Sequence, residues 1–342
     1  MGSSGQGSPR RTLYDEVMAP QPIETVDIAS STASEDLDRA LRSKGFAQLI
    51  NHGLDQGARE AMLSASDQFF GLDKDRKTAF VHPDHAANRG YRAKGSEALS
   101  YSLGEESPPD LFESFNSGPA PSNPNASRLV QETPWPDAEV DGFSAAALGY
   151  FGQLATLAAR LDGMVGEMIG APWLAERSGQ GTDTLASIHY RPGPDGTEEA
   201  VKGQQRMGAH SDYSCFTLLD TDPVPGLQII GDAGDWIDIV PDAGAVLMNV
   251  GDLLAMLTND VWPSVLHRVV PMSAGAAPVK RSLAFFHYLN LDVEVATLPE
   301  FITNDRPQKY EPVVVEAHLT DKLLAPKEKV RSTGTSTAAG RL

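Results

Sequence analysis

The chain has 342 residues, 41% of them hydrophobic, enough for one large domain or two smaller ones with a sizeable core. A formal net charge of −18 offers no broad basic surface to a phosphate backbone, so nucleic acid is excluded as the expected partner. Cys215 is the single cysteine, which rules out an intrachain disulfide and a cysteine-based zinc site and fits a reducing, cytoplasmic location. No run approaches the length of a membrane span, so no membrane association is expected. Residues 1–12 lack the apolar core of a signal peptide, and residues 1–20 read as a disordered leader.

The predicted elements begin with a short strand at Ile23 to Ile28. A helix follows, opened by Ser34, Asp36 and Asp38, carried by Leu37, Ala40 and Leu41 at helical spacing, and ended by Gly45. Phe46 to Ile50 reads as a strand, Asn51-His52-Gly53 as a turn, and residues 55 to 70 as a second helix. The stretch from 85 to 127 is rich in Gly, Pro, Ser and Asn and is predicted to be a long irregular loop roofing a pocket. Ser144 to Ile169 is the longest predicted helix. From residue 185 the pattern changes to short segments punctuated by Pro and Gly: Leu185 to Tyr190, Cys215 to Asp220, Leu227 to Ile230, Trp236 to Val240, Ala245 to Val250, Val265 to Pro271 and Ser282 to Leu289. Many short strands with such turns indicate a barrel or jelly roll, giving a mostly β protein with flanking α-helices. The expected organisation is a helical and mixed region over 21–180, a β core over 181–325, and a disordered tail over 326–342.

The chemistry concentrates in His210-Ser211-Asp212 and in His267. On a strand the i, i+2 pair His210 and Asp212 points to one face and Ser211 to the other, and a further strand must bring His267 to the same point. Two imidazoles and one carboxylate are the donor set that holds ferrous iron on one face and leaves the opposite positions open for oxygen and substrate. The competing reading is a surface His-x-Asp loop beside a hydrogen-bonded structural histidine. His189 and His287 each neighbour a position expected to face the barrel interior, so alternation turns them outward as structural residues. His52 is a turn residue, His82, His85 and His318 carry no motif, and Cys215 reads as a buried, inert thiol.

From Ile23 to Leu324 the chain resembles the isopenicillin N synthase-like family of iron(II) and 2-oxoglutarate-dependent dioxygenases. The resemblance is carried by Gly45-Phe-Ala-Gln-Leu-Ile-Asn-His-Gly53, His189-Tyr190-Arg-Pro192, Gly208-Ala-His-Ser-Asp-Tyr213, Pro225-Gly-Leu-Gln228, Asn249-Val-Gly-Asp252 and Ser264-Val-Leu-His-Arg-Val269. It implies a cupin-like double-stranded β-helix with N-terminal helices packed on the barrel, and it assigns His210, Asp212 and His267 to the metal. It further implies Fe(II), 2-oxoglutarate and O2 as cofactor and co-substrates, a small-molecule substrate of the kind met in secondary metabolism, and release of succinate and CO2 on hydroxylation, desaturation or cyclisation.

The family's Arg-x-Ser clamp for the distal carboxylate departs from pattern here: Lys280 holds the Arg position before Ser282, and Arg281 is displaced by one. Alternation places Lys280 and Ser282 on one face, so the clamp is assigned to Lys280, with Arg281 the choice only if a bulge shifts the register. Tyr190 matches the family tyrosine at this acid, while Ile188 replaces the expected Asn. Arg89, Tyr91 and Phe286 are candidate substrate contacts. Two other classes fit the same residues, an iron oxidase of this fold that does not use 2-oxoglutarate and a non-catalytic jelly-roll binding protein. Oligomeric state has no signature in the sequence.

Overall fold

The computed structural model describes residues 23–84, 86–104, 107–123, 127–179, 181–192, 200–271 and 279–324. The expected leader, the tail and His85 lie outside these residues. The strands are β1 (Glu24–Asp27), β2 (Phe46–Ile50), β3 (Gly90–Arg92), β4 (Glu113–Ser117), β5 (Thr184–Tyr190), β6 (Met207–His210), β7 (Phe216–Thr221), β8 (Leu227–Ile230), β9 (Trp236–Ile239), β10 (Val246–Val250), β11 (His267–Val269), β12 (Lys280–His287), β13 (Glu294–Val295) and β14 (Val313–Val314). The helices are α1 (Ala33–Lys44), α2 (Gln56–Phe70), α3 (Lys74–Thr78), α4 (Phe143–Ile169) and α5 (Asp252–Leu257), with residues 315–324 also helical.

Two sheets face each other. The larger has the order β1-β2-β10-β7-β12-β5-β4-β3 and the smaller β6-β11-β8-β9. Consecutive strands from β5 to β12 alternate between the sheets, apart from the β8–β9 hairpin, and the pairings among these strands are antiparallel, which is the jelly roll expected from the sequence; β1 alone pairs in parallel, with β2.

Alternation along the large sheet decides which residues fill the barrel. Ala186, Ile188 and Tyr190 of β5, Leu247 of β10 and Ala284 of β12 join the inner cluster with Leu227, Ile229 and Val269 of the small sheet. Their neighbours Leu185, Val246, Met248, Leu283 and Phe285 point outward into the larger cluster beneath α2 and α4. The large sheet is therefore buried on both faces, and every residue of β5 and β10 is buried.

The stretch from 85 to 127 differs from the expected irregular loop. It contributes β3 and β4, which extend the large sheet beyond β5, with Tyr91 opposite Phe115 and Phe115 opposite Ser187. Its polar, Gly-rich composition hides strands only three and five residues long.

Two glycines fix the entrance to the core. Gly45 caps α1 at φ 63°, and a Cβ there would lie 2.2 Å from the Pro263 carbonyl oxygen, so only glycine serves both roles. Gly251 sits against Ser214, where a Cβ would fall 2.1 Å from the carbonyl oxygen. That close approach stitches the segment after β6 to the start of α5: Gly251 N–H donates to Cys215 O, and Asp252 N–H donates to Asp212 O at 2.8 Å.

Candidate active site

His210 ends β6, and His267 opens β11 directly opposite it in the antiparallel register. The strand does not continue to Asp212, as the spacing had suggested; Asp212 lies in the irregular segment that the Gly251 contact holds in place. The three side chains converge nevertheless. Asp212 Oδ1 lies 3.8 Å from His210 Nε2 and 3.7 Å from His267 Nε2, too far for hydrogen bonds, and one ligand atom from each residue falls within 4.8 Å of the others.

The surroundings orient each donor. His210 Nδ1–H donates to Gly208 O at 2.7 Å and His267 Nδ1–H to Val265 O at 3.2 Å, which leaves both Nε2 lone pairs aimed at the common point. Asn249 Nδ2 donates to Asp212 Oδ2 at 2.7 Å, fixing the carboxylate with Oδ1 inward. Burial pulls the His210 imidazole down to about 4, with His267 acting in the same direction, so it is neutral at pH 7. Burial alone would raise Asp212, but His267, His210 and the Asn249 hydrogen bond together hold it below the usual carboxylate range. Two imidazole nitrogens and one carboxylate oxygen are a fitting donor set for a divalent ion.

The triad opens onto a cavity of about 1020 Å³, its mouth included, between the two sheets. Lys280 and Tyr190 form a directly opposed β12–β5 pair on its wall. Lys280 is 1% exposed, and its Nζ donates to Asp222 O at 3.1 Å and Val224 O at 3.2 Å. Burial lowers its ammonium to about 8; nearby Asp222 opposes this and Arg206 adds to it. Ser282 also lines the cavity, its hydroxyl paired with Thr221 at 2.7 Å. Tyr190 donates to Met207 Sδ at 3.6 Å, and burial pushes its phenol well up.

Arg281 points the other way, donating to Asp222 at 2.9 Å and Asp67 at 3.0 Å on the outer side of the sheet. Phe286 lines the cavity, whereas the other two predicted substrate contacts are not among its lining residues. Arg89 is fully buried and donates to Asn88 O, Thr184 Oγ1 and Asp183 O, and Tyr91 donates to Glu113 at 2.7 Å within the outer core. Both are consumed in holding β3 and β4 to their neighbours. His189 stacks on Phe70 of α2 at 4.4 Å, and His287 bridges Asp183 and Asp162 at 2.9 and 2.8 Å, so both face outward.

Residues not singled out by sequence reasoning also line the cavity: Asn249, Tyr288, and the polar group Asn88, Arg92, Glu97 and Asn116. Asn249 stood within a recognisable motif; the others lie in the stretch read as an irregular loop or beside the outward-facing His287, where alternation returns Tyr288 to the interior.

The model of the 2OG-Fe(II) oxygenase superfamily matches residues 181–288, and that of the non-haem dioxygenase N-terminal region found in morphine synthesis matches residues 23–138. The chain is 30% identical over 284 residues to the 2-oxoglutarate-Fe(II) type oxidoreductase hxnY of Emericella nidulans, covering 80% of this chain and 78% of that protein. It is 28% identical to the validamycin A dioxygenase of Streptomyces hygroscopicus subsp. limoneus, over 79% and 74% of the two chains. Among solved structures, a full-length Neurospora crassa protein in complex with alpha-KG superposes with a TM-score of 0.76 at 27% identity, over 88% of this chain and 96% of that one. This chain belongs to the 2-oxoglutarate and Fe(II)-dependent oxygenases. It is a dioxygenase of that family, which decides against the oxidase and the non-catalytic readings. Among the described residues no helix is long and apolar enough to cross a membrane.

Proposed function

We propose that His210, Asp212 and His267 hold the iron, that Lys280 binds the distal carboxylate of 2-oxoglutarate, and that the substrate is a small molecule received in the cavity beside Phe286. The observation that supports this most is the convergence of three oriented donor atoms at one end of a cavity whose facing sheet carries a single buried ammonium. Bound there, ferrous iron supplies the redox chemistry that couples decarboxylation of 2-oxoglutarate to succinate and CO2 with oxidation of a substrate carbon. The chain's own part is to bind and orient. Asn249 keeps the Asp212 carboxylate turned inward, the Gly208 and Val265 carbonyls keep the imidazole lone pairs available, and the inner apolar cluster excludes water.

Lys280 presents a compact charge rather than the bidentate fork of an arginine. Tyr190 and Ser282 supply hydroxyls on the same wall and complete the polar end of the co-substrate pocket. A small-molecule substrate is supported by the solved complex of the same Neurospora crassa protein with alpha-KG and thymine. The cytoplasm is the compartment we propose, on the ground that the single cysteine, Cys215, can form no intrachain disulfide.

The test is succinate formation from 2-oxoglutarate with Fe(II), measured against a panel of small molecules. The wild type forms succinate and His267→Ala does not while keeping its fold by circular dichroism. A His267→Ala variant with undiminished turnover and iron content overturns the ligand assignment.

A further inference from the structure

On the cavity wall contributed by β3, β4 and the segment between them stands an ion pair that the chemistry above does not use. Arg92 Nη1 donates to Glu97 Oε1 at 2.5 Å, and the two side chains are only 13% and 8% exposed. The pair is held rigidly. Arg92 Nη2 donates to Asn88 Oδ1 at 2.6 Å, and that oxygen also accepts from Asn116 Nδ2 at 2.9 Å. The Asn88 amide in turn donates to Thr184 Oγ1 at 3.3 Å, and Ser114 donates to Asn116 Oδ1. The Glu97 segment is tied to the metal strand as well: Asp110 N–H donates to Glu97 O, while the Asp110 carboxylate accepts from Leu99 N–H and Gly208 N–H. Arg92, Glu97, Asn88 and Asn116 line the same cavity as the triad. Tyr288, also on its wall, has its phenol raised by burial first and then by Asp212, with Arg92 opposing, so it stands within electrostatic reach of both ends.

Arg92 and Asn116 come from β3 and β4, which extend the large sheet beyond β5, and Asn88 and Glu97 from the segments beside them. A guanidinium carries five N–H donors and a carboxylate about four acceptor sites, so the two contacts of Arg92 and the one described for the Glu97 carboxylate do not exhaust either group. Together they present a donor beside an acceptor with no net charge. An incoming carboxylate would have to compete with Glu97 for Arg92 and leave Glu97 desolvated without its partner, and an ammonium would do the same to Arg92, each a costly outcome in a buried site. A neutral group that accepts and donates side by side adds to the pair without breaking it.

We propose that the Arg92–Glu97 pair, steadied by Asn88 and Asn116, is the substrate-recognition element of this cavity, and that it selects a substrate bearing an uncharged amide-type edge: a lactam, imide or carboxamide. The substrate C=O accepts from Arg92 while its N–H donates to Glu97. The proposal deepens the dioxygenase reading above and rests on it only for the identity of the reaction; recognition itself is a matter of binding.

The test is anaerobic titration calorimetry of the full chain with Fe(II), with and without 2-oxoglutarate, using glutarimide, N-methylglutarimide, cyclohexanecarboxylate and cyclohexylammonium as probes. The wild type binds glutarimide at least tenfold more tightly than its N-methyl derivative and than either charged probe. Glu97→Gln, nearly isosteric, weakens glutarimide and strengthens cyclohexanecarboxylate, each by tenfold or more, because Arg92 is left without its counter-charge. Arg92→Met loses glutarimide by more than tenfold and binds 2-oxoglutarate within twofold of wild type. A wild type that does not prefer glutarimide over all three other probes, or a Glu97→Gln protein with the order unchanged, overturns the proposal. Absence of 2-oxoglutarate binding in the wild type instead refutes the co-substrate reading, and the probe order still reports on Arg92 and Glu97.

Discussion

Replacing Lys280 by Met removes the ammonium and keeps most of the side chain's length. With its ammonium lowered to about 8, Lys280 is roughly 90% charged at pH 7. Truncating one partner of a buried charge pair costs about 2 to 5 kcal/mol. The lower part of that range applies here. In the ligand-free site the ammonium is already engaged with the carbonyls of Asp222 and Val224, and it offers one charge without a fork. At 1.36 kcal/mol per decade, about 2 to 3 kcal/mol is a loss of roughly 30- to 150-fold in 2-oxoglutarate affinity. The same assignment fixes a pH dependence. The bound carboxylate favours the charged ammonium, so affinity is full below about pH 7 and falls as pH rises through 8, by about tenfold at pH 9, while Lys280→Arg removes the slope. Anaerobic calorimetric titration of 2-oxoglutarate measures both. Arg281→Ala changes the affinity less than threefold, because its guanidinium is spent on Asp222 and Asp67 on the far side of the sheet. A silent Lys280→Met beside a damaging Arg281→Ala refutes the assignment.

Asn249→Ala frees Asp212 Oδ2 from its 2.7 Å donor and lowers Fe(II) or Mn(II) affinity by about 10- to 100-fold, read by metal titration; unchanged affinity shows that the carboxylate needs no such support. His287 gives a second pH effect. Burial would lower it, but Asp183 and Asp162 outweigh that and raise it to about 10, above its unfolded value of roughly 6.5. Its stabilisation is therefore full below pH 6.5 and is lost as pH rises through 10. Urea unfolding at pH 6, 8 and 10 shows this decline, and Asp162→Asn makes it shallower; an identical decline in both proteins assigns it to other groups.

The barrel was legible in the sequence because its strands are short, apolar and separated by Pro and Gly, and because α2 and α4 carry uninterrupted helical spacing. The expected helices at 55 to 70 and 144 to 169 differ from the observed bounds by one residue at their starts. What escaped had no periodic signal. β3 is three residues long, α3 and α5 are five and six, and the helix over 315–324 follows a segment without a strong start motif. Asp212 is instructive: the i, i+2 argument reached the right neighbourhood through a strand that in fact ends at His210, since the α5 contact holds its backbone and Asn249 orients its carboxylate. The separation of Lys280 from Arg281 followed from alternation alone, because β12 pairs with β5 and β7 without a bulge. Arg92 and Glu97 were invisible for the opposite reason, their meeting being set by the turn between β3 and β4 and not by any repeat.

The two sheets also divide the labour. His210 and His267 belong to the small sheet, and Tyr190, Lys280 and Ser282 to the large one, with the cavity as the seam between them. A substitution on the Lys280 wall can therefore alter the charge facing the cavity without moving the strands that carry His210 and His267. Lysine where the family pattern has arginine is a change of that kind, confined to one strand of the large sheet.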